Sequence, residues 1–158
     1  MAIEILELIP IFRGVDNDDL VLLAAQCRTQ EYDCEDVIFG QGDRAVTLYI
    51  LLSGRVGIRF KPYDGEALNV AEIQPGDIFG WSAVLHRPAY TSAAVALAPS
   101  RAVAISGSGL RRLCRARPAA GVVILQRLVE VIPERLKDAH SQVVQILQES
   151  MQATAEDE

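Results

Sequence analysis

Histidine and cysteine are scarce in this chain, with two of the first and three of the second among 158 residues. A metal-dependent sandwich enzyme needs several imidazoles and a carboxylate converging from neighbouring strands. His86 and His140 alone do not supply them, and no metal site is expected. Neither histidine follows a nucleophile elbow, so a Ser-His-Asp hydrolase has no supporting signature, and no catalytic residue is assigned. Cys27, Cys34 and Cys114 lack metal-type spacing and are expected as reduced, mostly buried thiols. Cys34, in a turn-rich segment, is the one candidate for redox sensing. Positive charge is also in short supply: 15 Lys and Arg face 21 Asp and Glu, a net charge of -6. A free-standing nucleic-acid binder usually carries the opposite balance. No apolar run approaches the roughly 18–20 residues that span a bilayer. Met1-Ala2-Ile3-Glu4 shows no basic, signal-like start. A cytoplasmic, non-enzymatic protein with no membrane contact is the expectation.

Half of the residues are apolar, enough for one good core. Ile3, Ile5, Leu6, Leu8, Ile9 and Phe12 make a short helix-like face over residues 1–12 that stops near Pro10. Asp16 or Asn17 then caps a helix through Leu20, Leu22, Leu23 and Ala24. From Tyr32 the period changes to two: Val37, Phe39, Leu48, Ile50, Leu52, Val56 and Ile58 alternate, broken by Gly40, Gly42-Asp43, Ser53-Gly54 and Asp64-Gly65. Short strands with such frequent turns predict a mainly β fold, an antiparallel sandwich or jelly roll with flanking helices. Residues 76–93 read as a strand, a glycine turn, one short helical turn and a return strand. Strands follow at Ala93–Leu97 and Arg101–Ile105, then a helix capped by Ser106 or Ser108 and carrying Leu110 and Leu113.

Beyond residue 118 the apolar positions keep a heptad. Val122, Val129, Leu136, Val143 and the polar Ser150 repeat every seven residues, and Leu125, Ile132, Ala139 and Ile146 follow at an offset of three. Such a and d positions predict a long C-terminal dimerisation helix. The alternative is an amphipathic helix lying on its own sandwich. Pro133 interrupts the pattern and should kink or restart the helix. The expected division is therefore residues 1–118 for the β-roll with its N-terminal helices and 119–158 for the dimer helix and acidic tail. Arg111, Arg112, Arg115 and Arg117, with Arg101, form the one basic concentration, either a docking patch or a solvated helix face.

Three spaced motifs stand in order along the chain: Ile9-Pro10-Ile11-Phe12-Arg13-Gly14-Val15; Val37-Ile38-Phe39-Gly40-Gln41-Gly42-Asp43 with Leu48-Tyr49-Ile50-Leu51-Leu52-Ser53-Gly54-Arg55-Val56; and Pro75-Gly76-Asp77-Ile78-Phe79-Gly80. Together they resemble the cyclic-nucleotide-binding domain family, in particular the sensory half of catabolite-activator-type regulators. The resemblance implies a phosphate-binding cassette over residues 76–93, with Gly80, Trp81, Ser82, Ala83, Arg87, Tyr90, Thr91 and Ser92 as its candidate ligand-binding residues. Two positions depart from the family pattern. Trp81 stands where the family usually has a glutamate for the ribose hydroxyl, and Tyr90 where it usually has an arginine for the cyclic phosphate.

An arginine fork donates two charge-assisted hydrogen bonds to a phosphate, whereas Tyr90 donates one neutral bond and the Trp81 indole cannot accept at all. Losing one charged bond typically weakens binding by about ten- to hundredfold. Weak, altered or lost cyclic-nucleotide binding is the expectation, with Trp81 and Tyr90 either filling the pocket or stacking on a flat ligand. The alternative is a working sensor of cyclic AMP, cyclic GMP or another small anionic metabolite, using backbone amides near Gly80–Ala83, hydroxyls of Ser82, Thr91 and Ser92, or Arg87. No other cofactor is expected. The expected partners are a second copy, through the C-terminal helix, and a separate effector protein. The family's DNA readers carry a helix-turn-helix after the dimer helix, and no residues remain for one before Glu158, so direct DNA binding is not expected.

Overall fold

The computed structural model describes residues 3–62, 65–84, 87–124 and 126–127. The chain opens with a short helix α1 (Ile3–Glu7), a 3-10 turn (Pro10–Phe12) and helix α2 (Asn17–Ala24). Eight strands follow: β1 (Cys27–Tyr32), β2 (Val37–Phe39), β3 (Thr47–Ser53), β4 (Val56–Phe60), β5 (Leu68–Ile73), β6 (Ile78–Phe79), β7 (Ala93–Ala96) and β8 (Ser100–Ser106). A second 3-10 turn (Trp81–Ala83) separates β6 from β7, and helix α3 (Gly107–Ala116) follows β8.

The strands form two four-stranded antiparallel sheets, in the orders β1-β8-β3-β6 and β2-β7-β4-β5. This is the expected jelly roll. Its alternation is double-sided along β3. Leu48 and Ile50 join the core beneath the helices, with Leu6, Leu23, Leu110 and Ile124, whereas Tyr49 and Leu51 point into the space between the sheets. Both faces are therefore buried, and Leu48, Ile50 and Leu51 are fully so. Burying such side chains contributes about 1.5–3 kcal/mol each, which makes β3 the strand that joins the two cores.

Between the sheets, large and small residues complement each other. Phe39, Tyr49, Phe79 and Tyr90 share that interior with Ala94, Ala102 and Ala104. The alanines leave the room that the rings occupy.

Two turns depend on glycine. Gly54, at the β3–β4 corner, has φ +92 and lies so close to Pro99 that a Cβ would stand 2.5 Å from its carbonyl oxygen. Gly80 ends β6 with φ +81 and ψ 34, a left-handed conformation that costs most side chains about 1–2 kcal/mol. Asp16 holds the N-cap position of α2, without a side-chain bond. Ser106 caps α3 by accepting from the Gly109 amide at 3.1 Å.

Two strands were not marked by the apolar period. β1 begins at Cys27, before the alternation at Tyr32, and β5 has a mixed face. Their positions come from ladders with β8 and β4, from Cys27 opposite Ile105 through to Phe60 opposite Leu68. At the other end, residues 118–124 are helical. Val122 is 54% exposed there while Ile124 is fully buried in the helix-side core. The heptad positions Leu125, Val129, Ile132, Leu136, Ala139, Val143 and Ile146, and Pro133, lie outside the described residues.

Candidate functional site

The cassette segment runs from β6 through Gly80 and the 3-10 turn to β7. Within the turn the Ala83 amide donates to the Gly80 carbonyl at 3.3 Å, and the Val84 amide to the Trp81 carbonyl at 3.0 Å. The loop after β2 holds the other side. Gly42 N–H donates to the Tyr90 carbonyl at 2.9 Å, Tyr90 N–H to the Asp43 carbonyl at 2.9 Å, and Ala45 N–H to the Pro88 carbonyl at 3.1 Å. The Asp43 carboxylate in turn accepts from Gly40 N–H at 2.8 Å, closing its own loop. Gly40 to Ala45 is thus a hydrogen-bonded clamp on residues 88–90.

That clamp sets the direction of Tyr90. Its side chain is 5% exposed and lies inside the roll. The ring stacks on Phe39 with centroids 3.8 Å apart, and Phe39, Tyr49 and Phe79 complete a cluster with Tyr49 and Phe79 at 5.1 Å. The Tyr90 hydroxyl donates to the Thr47 carbonyl at 2.6 Å and accepts from the Thr47 amide at 3.1 Å. Both its polar valences are satisfied by protein. Burial pushes the Tyr90 hydroxyl above its ordinary pKa, against the opposing effect of its bond to Thr47, so it stays neutral.

The other candidate residues divide. Gly80, Ser82 and Ala83 are buried in the turn, and Ser92 is half-buried before β7. Arg87 and Thr91 are exposed, and Arg87 makes no ion pair among the described residues. Trp81 does not join Tyr90: it packs against the helix-side core, on the opposite face of the sheet. Tyr90 therefore fills the interior, together with Phe39, Tyr49 and Phe79. A 3-10 turn places successive residues about 120° apart, which sends Trp81 away from the roll interior.

The basic run at the end of α3 is likewise divided. Arg111 donates to the Ala83 carbonyl at 2.9 Å, tying α3 to the cassette turn. Arg117 pairs with Asp19 at 2.8 Å, and Arg112 and Arg115 are exposed. The aromatic partners of Tyr90 were not foreseen as site residues. The signal for them was the inward phase of β2, β3 and β6, set by register rather than by residue type.

The chain belongs to the cyclic nucleotide-binding domain family, whose model matches residues 29–117, more than half of the chain. It is 27% identical over 144 residues to the CRP-like cAMP-activated global transcriptional regulator of Mycobacterium tuberculosis, covering 91% of this chain and 62% of that protein. The chain thus spans less than two thirds of that relative. Among solved structures, a candidate cyclic nucleotide-binding protein from Geobacter metallireducens GS-15 is 28% identical with a TM-score of 0.75, covering 86% of this chain and 98% of that one. The regulatory subunit of a cAMP-independent protein kinase A from Trypanosoma brucei is 25% identical with a TM-score of 0.67, covering 81% and 46%.

Proposed function

We propose that this chain is a non-catalytic regulatory module whose cassette no longer grips a cyclic nucleotide. The observation that carries this reading is the Tyr90 side chain: its ring is stacked on Phe39 and both valences of its hydroxyl are held by Thr47. Tyr90 occupies the position that the family gives to the phosphate-binding arginine. A phosphate entering there meets a neutral hydroxyl that is already bonded and a packed aromatic cluster. Trp81, at the position of the ribose-binding glutamate, offers no acceptor and faces the helices. The Trypanosoma brucei subunit of a cAMP-independent kinase supports the separation of this fold from cyclic AMP.

Output passes through the C-terminal part. Residues 1–118 form the sensory body, and 119–158 supply a helix that pairs two copies by its heptad positions. The segment from Arg117 to Gly121 joins them and is held by the Gly121 amide donating to the Arg117 carbonyl at 3.0 Å. The paired module docks on a separate effector protein.

Calorimetry with cyclic AMP and cyclic GMP tests the cassette. No saturable heat is expected up to ~1 mM ligand, an affinity weaker than about -4 kcal/mol; micromolar binding at the cassette overturns the reading. Sedimentation tests the pairing: wild type is expected to be dimeric and Leu136→Asp monomeric, while a monomeric wild type removes the dimer helix.

A further inference from the structure

A concave site lies where the start of β1, the loop before β3, the end of β8 and the start of α3 meet. It is a cleft of about 560 Å³, within the range of small-molecule sites. Three arginines from three separate elements line it: Arg28 on β1, Arg44 in the loop before β3, and Arg111 on α3. Gln26, Ser106 and Ser108 add polar groups, and no Asp or Glu is among its lining residues.

The charge pattern is unusual for a chain of net charge -6. Arg55, Arg59 and Arg117 each have an acidic partner. Arg28, Arg44 and Arg111 have none among the described residues, and neither do Arg13, Arg87, Arg101, Arg112 and Arg115, but it is those three that share one cleft. Like charges gathered in a concavity repel each other unless an anion joins them, and a cleft focuses that positive field. Guanidinium groups suit phosphate oxygens because their planar forks donate paired hydrogen bonds.

The walls are fixed by backbone bonds. Ser106 N–H donates to the Gln26 carbonyl at 3.2 Å, and Gly107 N–H to the Val46 carbonyl at 2.9 Å. Those two bonds tie the residue before β1 to the end of β8, and the loop before β3 to the start of α3, as one frame. A preorganised cationic frame loses little freedom on binding.

From this geometry we infer that the cleft binds a small phosphate-bearing anion. The site lies outside the cassette yet touches it twice. Thr47 lines the cleft while its backbone holds the Tyr90 hydroxyl, and Arg111 reaches from the cleft to the Ala83 carbonyl at the end of the cassette turn. An anion that recruits Arg111 weakens that bond and is felt at Trp81, the sole tryptophan of the chain.

Titration of the full chain with inorganic pyrophosphate and with 5′-AMP, read by calorimetry and by Trp81 fluorescence, tests the inference. One saturable site is expected for at least one probe; pyrophosphate alone indicates a free diphosphate, and tighter 5′-AMP a nucleotide. Arg28→Gln with Arg44→Gln, both exposed and so compatible with the fold, is expected to weaken binding by at least about tenfold. Arg55→Gln, whose arginine pairs with Glu72, is expected to leave it unchanged. Absence of saturable binding for both probes at ~5 mM, or equal affinity in wild type and the double variant, overturns the proposal.

Discussion

Tyr90 and Thr47 form a two-way hydrogen bond, the hydroxyl donating to the Thr47 carbonyl at 2.6 Å and accepting from the Thr47 amide at 3.1 Å. A side chain thereby completes the backbone pairing at the start of β3. Tyr90→Phe keeps the ring on Phe39 but leaves a part-buried amide and carbonyl without this partner. The expected cost is about 1–3 kcal/mol, read from urea denaturation, with the aromatic packing otherwise retained. A loss below about 0.5 kcal/mol would mean that the hydroxyl does not hold the cassette in place.

Gly80 is the backbone counterpart of that lock. At φ +81, a Cβ would stand 3.0 Å from the Thr47 carbonyl oxygen and 3.1 Å from the Tyr49 ring. Gly80→Ala therefore combines left-handed strain with crowding against β3. A destabilisation of about 1–3 kcal/mol is expected in the same denaturation assay. Gly42→Ala serves as the comparison, because at φ +89 its Cβ would meet nothing within 4 Å. The difference between the two variants isolates the crowding, and equal losses would assign the whole effect to backbone strain.

Alkaline pH should loosen the roll. Burial pushes the Tyr32 hydroxyl up to about 12 from 10.0, with Tyr49 adding to the shift and Arg28 opposing it. Burial likewise pushes the Cys27 thiol up to about 12 from 9.0. Each raised group keeps its proton in the folded chain after the unfolded chain has lost it. Stability from these groups is present in full below pH 9.0 and declines as pH rises toward about 12. Urea midpoints should fall across that window, and the fall should shrink in Tyr32→Phe. A flat profile would contradict the burial of these groups.

Much of this arrangement is written locally, and the part that is not depends on register. Leu48, Ile50 and Leu52 alternate plainly, so β3 could be placed from its period. Ser106 could be placed as a cap, because a hydroxyl before an amphipathic run has one favourable use. Gly80 was legible as a turn residue, though its distance from Thr47 was not. β1 carries mostly polar side chains and is positioned by its ladder with β8, information that resides in β8. The direction of Trp81 follows from the phase of one 3-10 turn. The cleft arginines, at positions 28, 44 and 111, share no sequence pattern and meet only in the folded chain.

Asp19 and Arg117 link the first helical layer to the segment that leads out of α3. The Arg117 Nε donates to Asp19 Oδ1 at 2.8 Å, with the Asp19 side chain 12% exposed and that of Arg117 49%. Asp19 also lies in the first turn of α2, where the helix dipole favours its negative charge. Arg117→Ala leaves that carboxylate partly compensated by the helix dipole, and the half-exposed guanidinium keeps the pair screened by water. A double-mutant cycle with Asp19→Ala should give a coupling of about 0.5–1 kcal/mol. The stronger readout is local. Residues 118–124 begin beside Arg117 and carry the buried Ile124, so amide exchange across that stretch should accelerate in Arg117→Ala more than exchange in β3. Uniform acceleration across both would show that the ion pair supports the fold as a whole and does not fix the exit from α3.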